Sequence, residues 1–335
     1  MSAEPIRVAV SGAAGQIGYS LLPMLASGFV FGPARRVALQ CLDLNLEGVR
    51  ENMRGIEMEL LDGNFPMLHS VVFTTDEKVA FCDADYAILL GAYPRQEGGN
   101  KREAMQKNVM IFRTIGHAIQ EHARETCMVT VVGNPAATNA FICGHFAPRR
   151  PRQNFVALMR LDQHRACGQL AQRAGEAPSD VKNVIVWGAH TKTPDFDHCT
   201  IRGRRIGEVF ASDEDQRWLT DELPKELLQR GASIHKARRQ GGAMSTARAI
   251  ACHVRDLHTG SRSGEFASMG VWSDGNPYGV VGGLVYSLPV LCHGAGRYSV
   301  VPGLEPSERC KEVIREAESE LLSEREMAKE FLGPT

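Results

Sequence analysis

The stretch Ile6-Arg7-Val8-Ala9-Val10-Ser11-Gly12-Ala13-Ala14-Gly15-Gln16-Ile17-Gly18 decides the fold. Residues 6–10 form a short, β-branched apolar run that reads as a buried parallel strand, and the glycines that follow at once predict a tight turn. From Gln16 onward, Ile17, Leu21, Leu22 and Leu25 recur at helical spacing until Gly28 closes the segment. A strand, a G-x-x-G-x-x-G turn and a helix make one βα unit. Glycines in such a turn let backbone approach a pyrophosphate, and the free N–H groups of the helix N-terminus attract its negative charge.

Outward from this unit the rhythm repeats. Apolar runs at 37–42, 86–90 and 128–132 each end in Asp, Gly or Gly-Asn, which predicts a doubly wound parallel sheet, an α/β fold. The second run ends in Asp43, about 25 residues beyond Gly18, where a ribose-binding carboxylate is needed. Such an acid accepts hydrogen bonds from ribose hydroxyls and repels a 2′-phosphate, so NAD is favoured over NADP. After the basic, Pro-rich patch Ala147-Pro148-Arg149-Arg150-Pro151-Arg152 the pattern changes. Strand-like segments at 155–158 and 184–187 flank a helix from about Asp162, and helical periodicity returns at 242–255 and 306–332. The boundary expected there gives an NAD-binding domain over residues 1–153 and a substrate domain over 154–335, a division that suits a chain of 335 residues.

Bulk properties exclude several classes of function. The formal net charge is −1 and the pI about 6.8, so no overall basic field exists to hold nucleic acid or an anionic membrane. The longest mostly apolar stretch, 280–292, is interrupted by Gly282, Gly283, Ser287 and Pro289 and falls short of the ~20 residues of a spanning helix. Nine cysteines without a C-x-x-C pair suggest neither a zinc site nor a disulfide framework. The N-terminal Met-Ser-Ala-Glu-Pro carries no signal pattern, and the expected location is the cytoplasm.

The run Gly12-Ala13-Ala14-Gly15-Gln16-Ile17-Gly18-Tyr19-Ser20-Leu21-Leu22 resembles the cytosolic-type branch of the malate dehydrogenases, in the lactate/malate dehydrogenase superfamily. Similarity continues through Gly133-Asn134-Pro135, Leu161-Asp162, Val184-Ile185-Val186-Trp187-Gly188, Ala243-Met244-Ser245 and Gly264-Glu265-Phe266-Ala267-Ser268-Met269-Gly270, and so covers essentially the whole chain. The resemblance implies a Rossmann domain followed by an α+β substrate domain, NAD-linked oxidation of malate to oxaloacetate, and a homodimer.

It also assigns roles. His190 matches the proton acceptor, and Asp162 matches the carboxylate that orients the imidazole and stabilises its protonated form. Arg165 matches the clamp on the substrate's 1-carboxylate and Arg95 the arginine that meets the second carboxylate of a dicarboxylate. Asn134 matches a residue beside nicotinamide and substrate. Gly12, Gly15, Gln16, Ile17, Gly18, Asp43, Asn108, Val132, Gly133 and Asn134 form the expected cofactor set.

Several positions depart from the family pattern. The carbonyl-polarising arginine falls at Lys101, with an arginine only at Arg102; lysine keeps the charge but loses the planar fork. Polar groups are missing at Ala189, Ala137 and Gly242, and the Asp-His-Asn-Arg run has become Asp162-Gln163-His164-Arg165. These changes leave open a dehydrogenase of altered substrate range or an NAD-binding relative without turnover.

Overall fold

A computed structural model describes residues 4–93, 99–189 and 194–333. The first half alternates strand and helix: β1 (Ile6–Ser11), α1 (Gln16–Ala26), β2 (Val37–Leu42), α2 (Glu47–Asp62), β3 (Leu68–Thr74), α3 (Glu77–Phe81), β4 (Tyr86–Leu89), α4 (Lys101–His122), β5 (Met128–Val131), α5 (Ala136–His145) and β6 (Phe155–Leu158). These six strands are parallel and ordered β3-β2-β1-β4-β5-β6, the doubly wound arrangement expected from sequence. Its chemistry belongs where the order reverses, outside the carboxyl ends of β1 and β4.

The second half runs α6 (Arg160–Ala174), β7 (Val181–Lys182), β8 (Thr200–Ile201), β9 (Arg204–Arg205), α7 (Ile206–Val209), α8 (Asp213–Arg217), α9 (Leu223–Arg238), α10 (Met244–Thr259), β10 (Ala267–Trp272), β11 (Val285–Gly294), β12 (Arg297–Val300) and α11 (Glu308–Leu332). Strand β10 pairs antiparallel with β6, and β11 and β12 extend the same sheet to nine strands. A continuous core therefore runs under both halves. A smaller cluster, including Leu170, Val184, Trp218 and Leu223, packs separately around α6 and α9.

One expected strand takes a different form. Residues 184–187 are extended but, among the described residues, they and Gly188 make only isolated bridges, Ile185 to Asp195 and Gly188 to Ser287. Side chains replace the missing ladder: Ser268 Oγ accepts from Val186 N at 2.9 Å, Ser287 Oγ donates to Val186 O at 2.6 Å, and Gln163 Nε2 donates to Val184 O at 3.0 Å. These partners satisfy backbone groups that a buried segment cannot leave unpaired.

Candidate active site

The floor of the main cleft is made of glycines. Gly12 has φ +70°, and a Cβ there would lie 3.0 Å from Gly91 N. A Cβ on Gly18 would sit 2.2 Å from Ala13 O, so only glycine lets α1 start this close to the strand. Gly133, after β5, packs equally tightly, with a Cβ position 2.5 Å from Ala92 Cβ. Gly91 thus joins the predicted Gly12 and Gly133 as the point where three strand ends meet; the sequence carried that signal in Leu90-Gly91-Ala92, the end of the third apolar run.

Above this floor, α1 begins at Gln16 with Gly15 as its N-cap and no capping side chain. Its first N–H groups are left for an anion. Asp43 stands at the next strand end, where Oδ2 accepts from Ala14 N at 2.8 Å and Oδ1 from Leu44 N at 2.8 Å. The carboxylate is therefore fixed against the glycine turn, with lone pairs left for ribose hydroxyls. The cleft holds about 660 Å³ and is lined by Gly12, Gly15, Gln16, Ile17 and Asp43, with Gln240 to Ala243 closing it from the second half. Val132 and Gly133 direct their N–H groups to Leu89 O at 2.9 and 3.1 Å, which leads the chain to the exposed Asn134.

Helix α4 separates two neighbouring cations. Asn100 caps it by accepting from Arg102 N at 2.9 Å, leaving Lys101 at the first helical position. The Arg102 guanidinium is turned to the last helix, where it pairs with Glu330 and lies 5.0 Å from the Phe331 ring centroid. Lys101 makes no ion pair among the described residues and stands at the positive end of a 22-residue helix.

Asn108 lies on the buried side of α4. It is buried, and its amide is committed: Oδ1 accepts from Tyr93 N at 2.9 Å, while Nδ2 donates to Ala104 O at 3.0 Å and Tyr93 O at 3.3 Å. It holds the chain at Tyr93, two residues before Arg95 in the sequence. Lys107 reinforces the same point by donating to Tyr93 Oη at 3.0 Å.

In the second half, Asp162 and Arg165 share one face of α6, with Arg165 Nη1 at 3.1 Å from Asp162 Oδ1. Both are mostly buried, so their charges are screened less than at the surface. Gln163, where the family pattern has histidine, is no loss of polar structure. It accepts from Ser268 N at 3.1 Å and donates to Val184 O, tying α6 to the segment that leads to Gly188 and Ala189. Trp187 in that segment is buried and donates from Nε1 to Asp195 at 2.8 Å. Two expected site residues, Arg95 and His190, lie outside the described residues.

A glycine-floored dinucleotide cleft at the switch point of a doubly wound sheet, with an acid at the second strand end, defines an NAD-binding oxidoreductase. Residues 6–156 match the lactate/malate dehydrogenase NAD binding domain, and residues 159–332 match the lactate/malate dehydrogenase alpha/beta C-terminal domain. The chain belongs to the lactate/malate dehydrogenase family. It is 44% identical to the cytoplasmic malate dehydrogenase of Homo sapiens over 98% of this chain and 99% of that protein. The crystal structure of malate dehydrogenase from Naegleria fowleri superposes with a TM-score of 0.91 at 36% identity, covering 99% of this chain and all of that one. Lactate dehydrogenase of Trichomonas vaginalis, in complex with NADH and oxamate, superposes with a TM-score of 0.90 at 33% identity, covering 98% and 99% of the two chains.

Proposed function

We propose that this protein is a cytoplasmic, NAD-dependent malate dehydrogenase that interconverts L-malate and oxaloacetate by hydride transfer. The observation that carries this reading is the mostly buried Asp162–Arg165 pair on a helix beyond the dinucleotide cleft. Bound NAD supplies the hydride acceptor. In malate oxidation His190 takes the hydroxyl proton as the C2–H bond breaks and the carbonyl forms, and Asp162 stabilises the resulting imidazolium. Arg165 holds the 1-carboxylate with its planar fork, and Arg95 holds the second carboxylate. Asn134 orients the substrate beside the nicotinamide.

Lys101 polarises the carbonyl oxygen. We assign this work to Lys101 and not to Arg102, whose guanidinium is engaged by Glu330 and Phe331. Asn108 acts on the cofactor side only indirectly, by fixing Tyr93. Exposed Tyr19, Met58, Leu61 and Met244 on α1, α2 and α10 support a homodimer. We place the division between the two functional units at residues 153 and 154, just before the last parallel strand.

The test is to follow NADH oxidation with oxaloacetate, pyruvate and phenylpyruvate while NADH binding is read by fluorescence. Turnover with oxaloacetate well above the other two is expected. Preference for phenylpyruvate would reassign the substrate, and binding without turnover on any of the three would leave an NAD-binding protein that is no longer an enzyme.

A further inference from the structure

A second cavity, of about 350 Å³, opens between α6, α10 and the loop at 260–266, and it shares no lining residue with the cofactor cleft. Five cations line it: Arg160, Lys182, Arg248, Arg255 and Arg262. Among the described residues, the acids in this lining are Asp256 and Glu265. Asp256 is already taken, by Arg160 on one oxygen and by Arg255 Nε and Nη2 on the other at 3.1 and 2.8 Å. Glu265 is taken by Lys182 at 2.7 Å. Arg248 and Arg262 are left without an ion pair among the described residues.

The site is built rather than merely positive. Arg160 is nine-tenths buried, and its Nε hydrogen has no acceptor among the described residues. Arg248 is steadied by stacking on Phe29, 4.1 Å from the ring centroid. Guanidinium groups held in this way present forked N–H donors to oxyanions at low ordering cost. His164 lines the same wall; burial first, then Arg160 and Arg248, push its pKa down to about 3. Its neutral ring therefore adds a hydrogen-bonding group and no further charge. Unopposed positive charge in an enclosed space draws a counter-ion of matching size and valence.

We propose that this pocket binds a small oxyanion carrying at least two negative charges, a phosphate or a polycarboxylate, between Arg160, Arg248 and Arg262. The test is isothermal titration of the full-length protein, saturated with NADH so that the cofactor cleft is filled. Inorganic phosphate and tricarballylate are titrated separately, with potassium chloride at matched ionic strength as control. Saturable binding of one ion per chain is expected for at least one of the two, and the tighter of them identifies the ligand class. The dissociation constant should rise at least tenfold in Arg248→Gln and in Arg262→Gln, with NADH affinity unchanged in both. Arg262 is exposed and lies in a loop, so its variant keeps the test sound if loss of the Phe29 stack unfolds the other. Equal affinity in wild type and Arg262→Gln, heats reproduced by chloride, or binding of neither ion overturns the proposal.

Discussion

Lys101 and Arg102 are adjacent in the chain, yet the fold gives them different work. Helix geometry turns successive side chains about 100° apart, so when Arg102 reaches Glu330 and Phe331, Lys101 faces elsewhere. A lysine polarises a carbonyl as a point charge and gives up the second fixed donor of a guanidinium. Lys101→Arg is therefore expected to raise kcat for oxaloacetate reduction, by about tenfold or ~1.4 kcal/mol, with little change in KM. Arg102→Gln should leave kcat within about twofold. A lower kcat in the first variant, or a collapse of kcat in the second, would show under steady-state assay that the assignment is reversed. At this scale the sequence told where Asp43 would stand, at the strand end beside the glycine turn, and that Asp162 and Arg165 would share a helical face. The hydrogen bonds of Asn108 to the backbone of Tyr93 and Ala104 were not legible, because a string of letters does not show which groups a buried amide meets. The work of Gln163 was not legible either, because its partners, Val184 and Ser268, are remote in sequence.

At the scale of elements, the glycine turn and its flanking strand and helix are local, so their pattern announced them. The segment at 184–189 is not local: its partners Ser268 and Ser287 come from β10 and β11, and no periodicity within it could show that side chains would replace a ladder. Helix α10 has a consequence of its own. His253 is fully buried with both ring nitrogens unpartnered among the described residues, and burial, aided by Arg160, pushes its pKa down to about 3. His164 is depressed to a similar value. Between about pH 3 and pH 6.5 the unfolded chain holds protons on these rings that the folded chain refuses. Stability present above the unfolded value is thus lost as pH falls through that window, at ~1.4 kcal/mol per pH unit for each histidine. From the ordinary carboxyl value of about 4 downward, Asp256 adds a further loss: burial works to raise its pKa, but Arg160 and Arg255 outweigh this and hold it below that value. Urea unfolding from pH 6.5 to 4.5 should be flatter for His253→Leu by about one proton; identical slopes would show that this ring does titrate in the folded state.

Across the whole molecule, a doubly wound parallel sheet was legible from the apolar runs at 6–10, 37–42, 86–90 and 128–132, whereas β3 (Leu68–Thr74), a partly exposed edge strand, was not. The antiparallel continuation through β10, β11 and β12 was not, since it joins elements more than a hundred residues apart. That continuation carries α6 and its Asp162–Arg165 pair on the same rigid body as the glycine floor. The apolar residues left on α1, α2 and α10 predict self-association: sedimentation equilibrium should give twice the 36.7 kDa chain mass, and Met58→Glu with Leu61→Glu should return it to one. A wild-type chain that sediments as a monomer would remove the dimer. The central claim is that one nicotinamide ring is served from both halves, by the strand ends after β1, β4 and β5 and by the Asp162–Arg165 pair. A crystal structure with NADH and oxamate tests it most directly. The pyrophosphate is expected on the N–H groups at Gly15 to Ile17 and the oxamate carboxylate on the Arg165 guanidinium. Oxamate seated away from Arg165, or a dinucleotide bound outside the glycine floor, would contradict it.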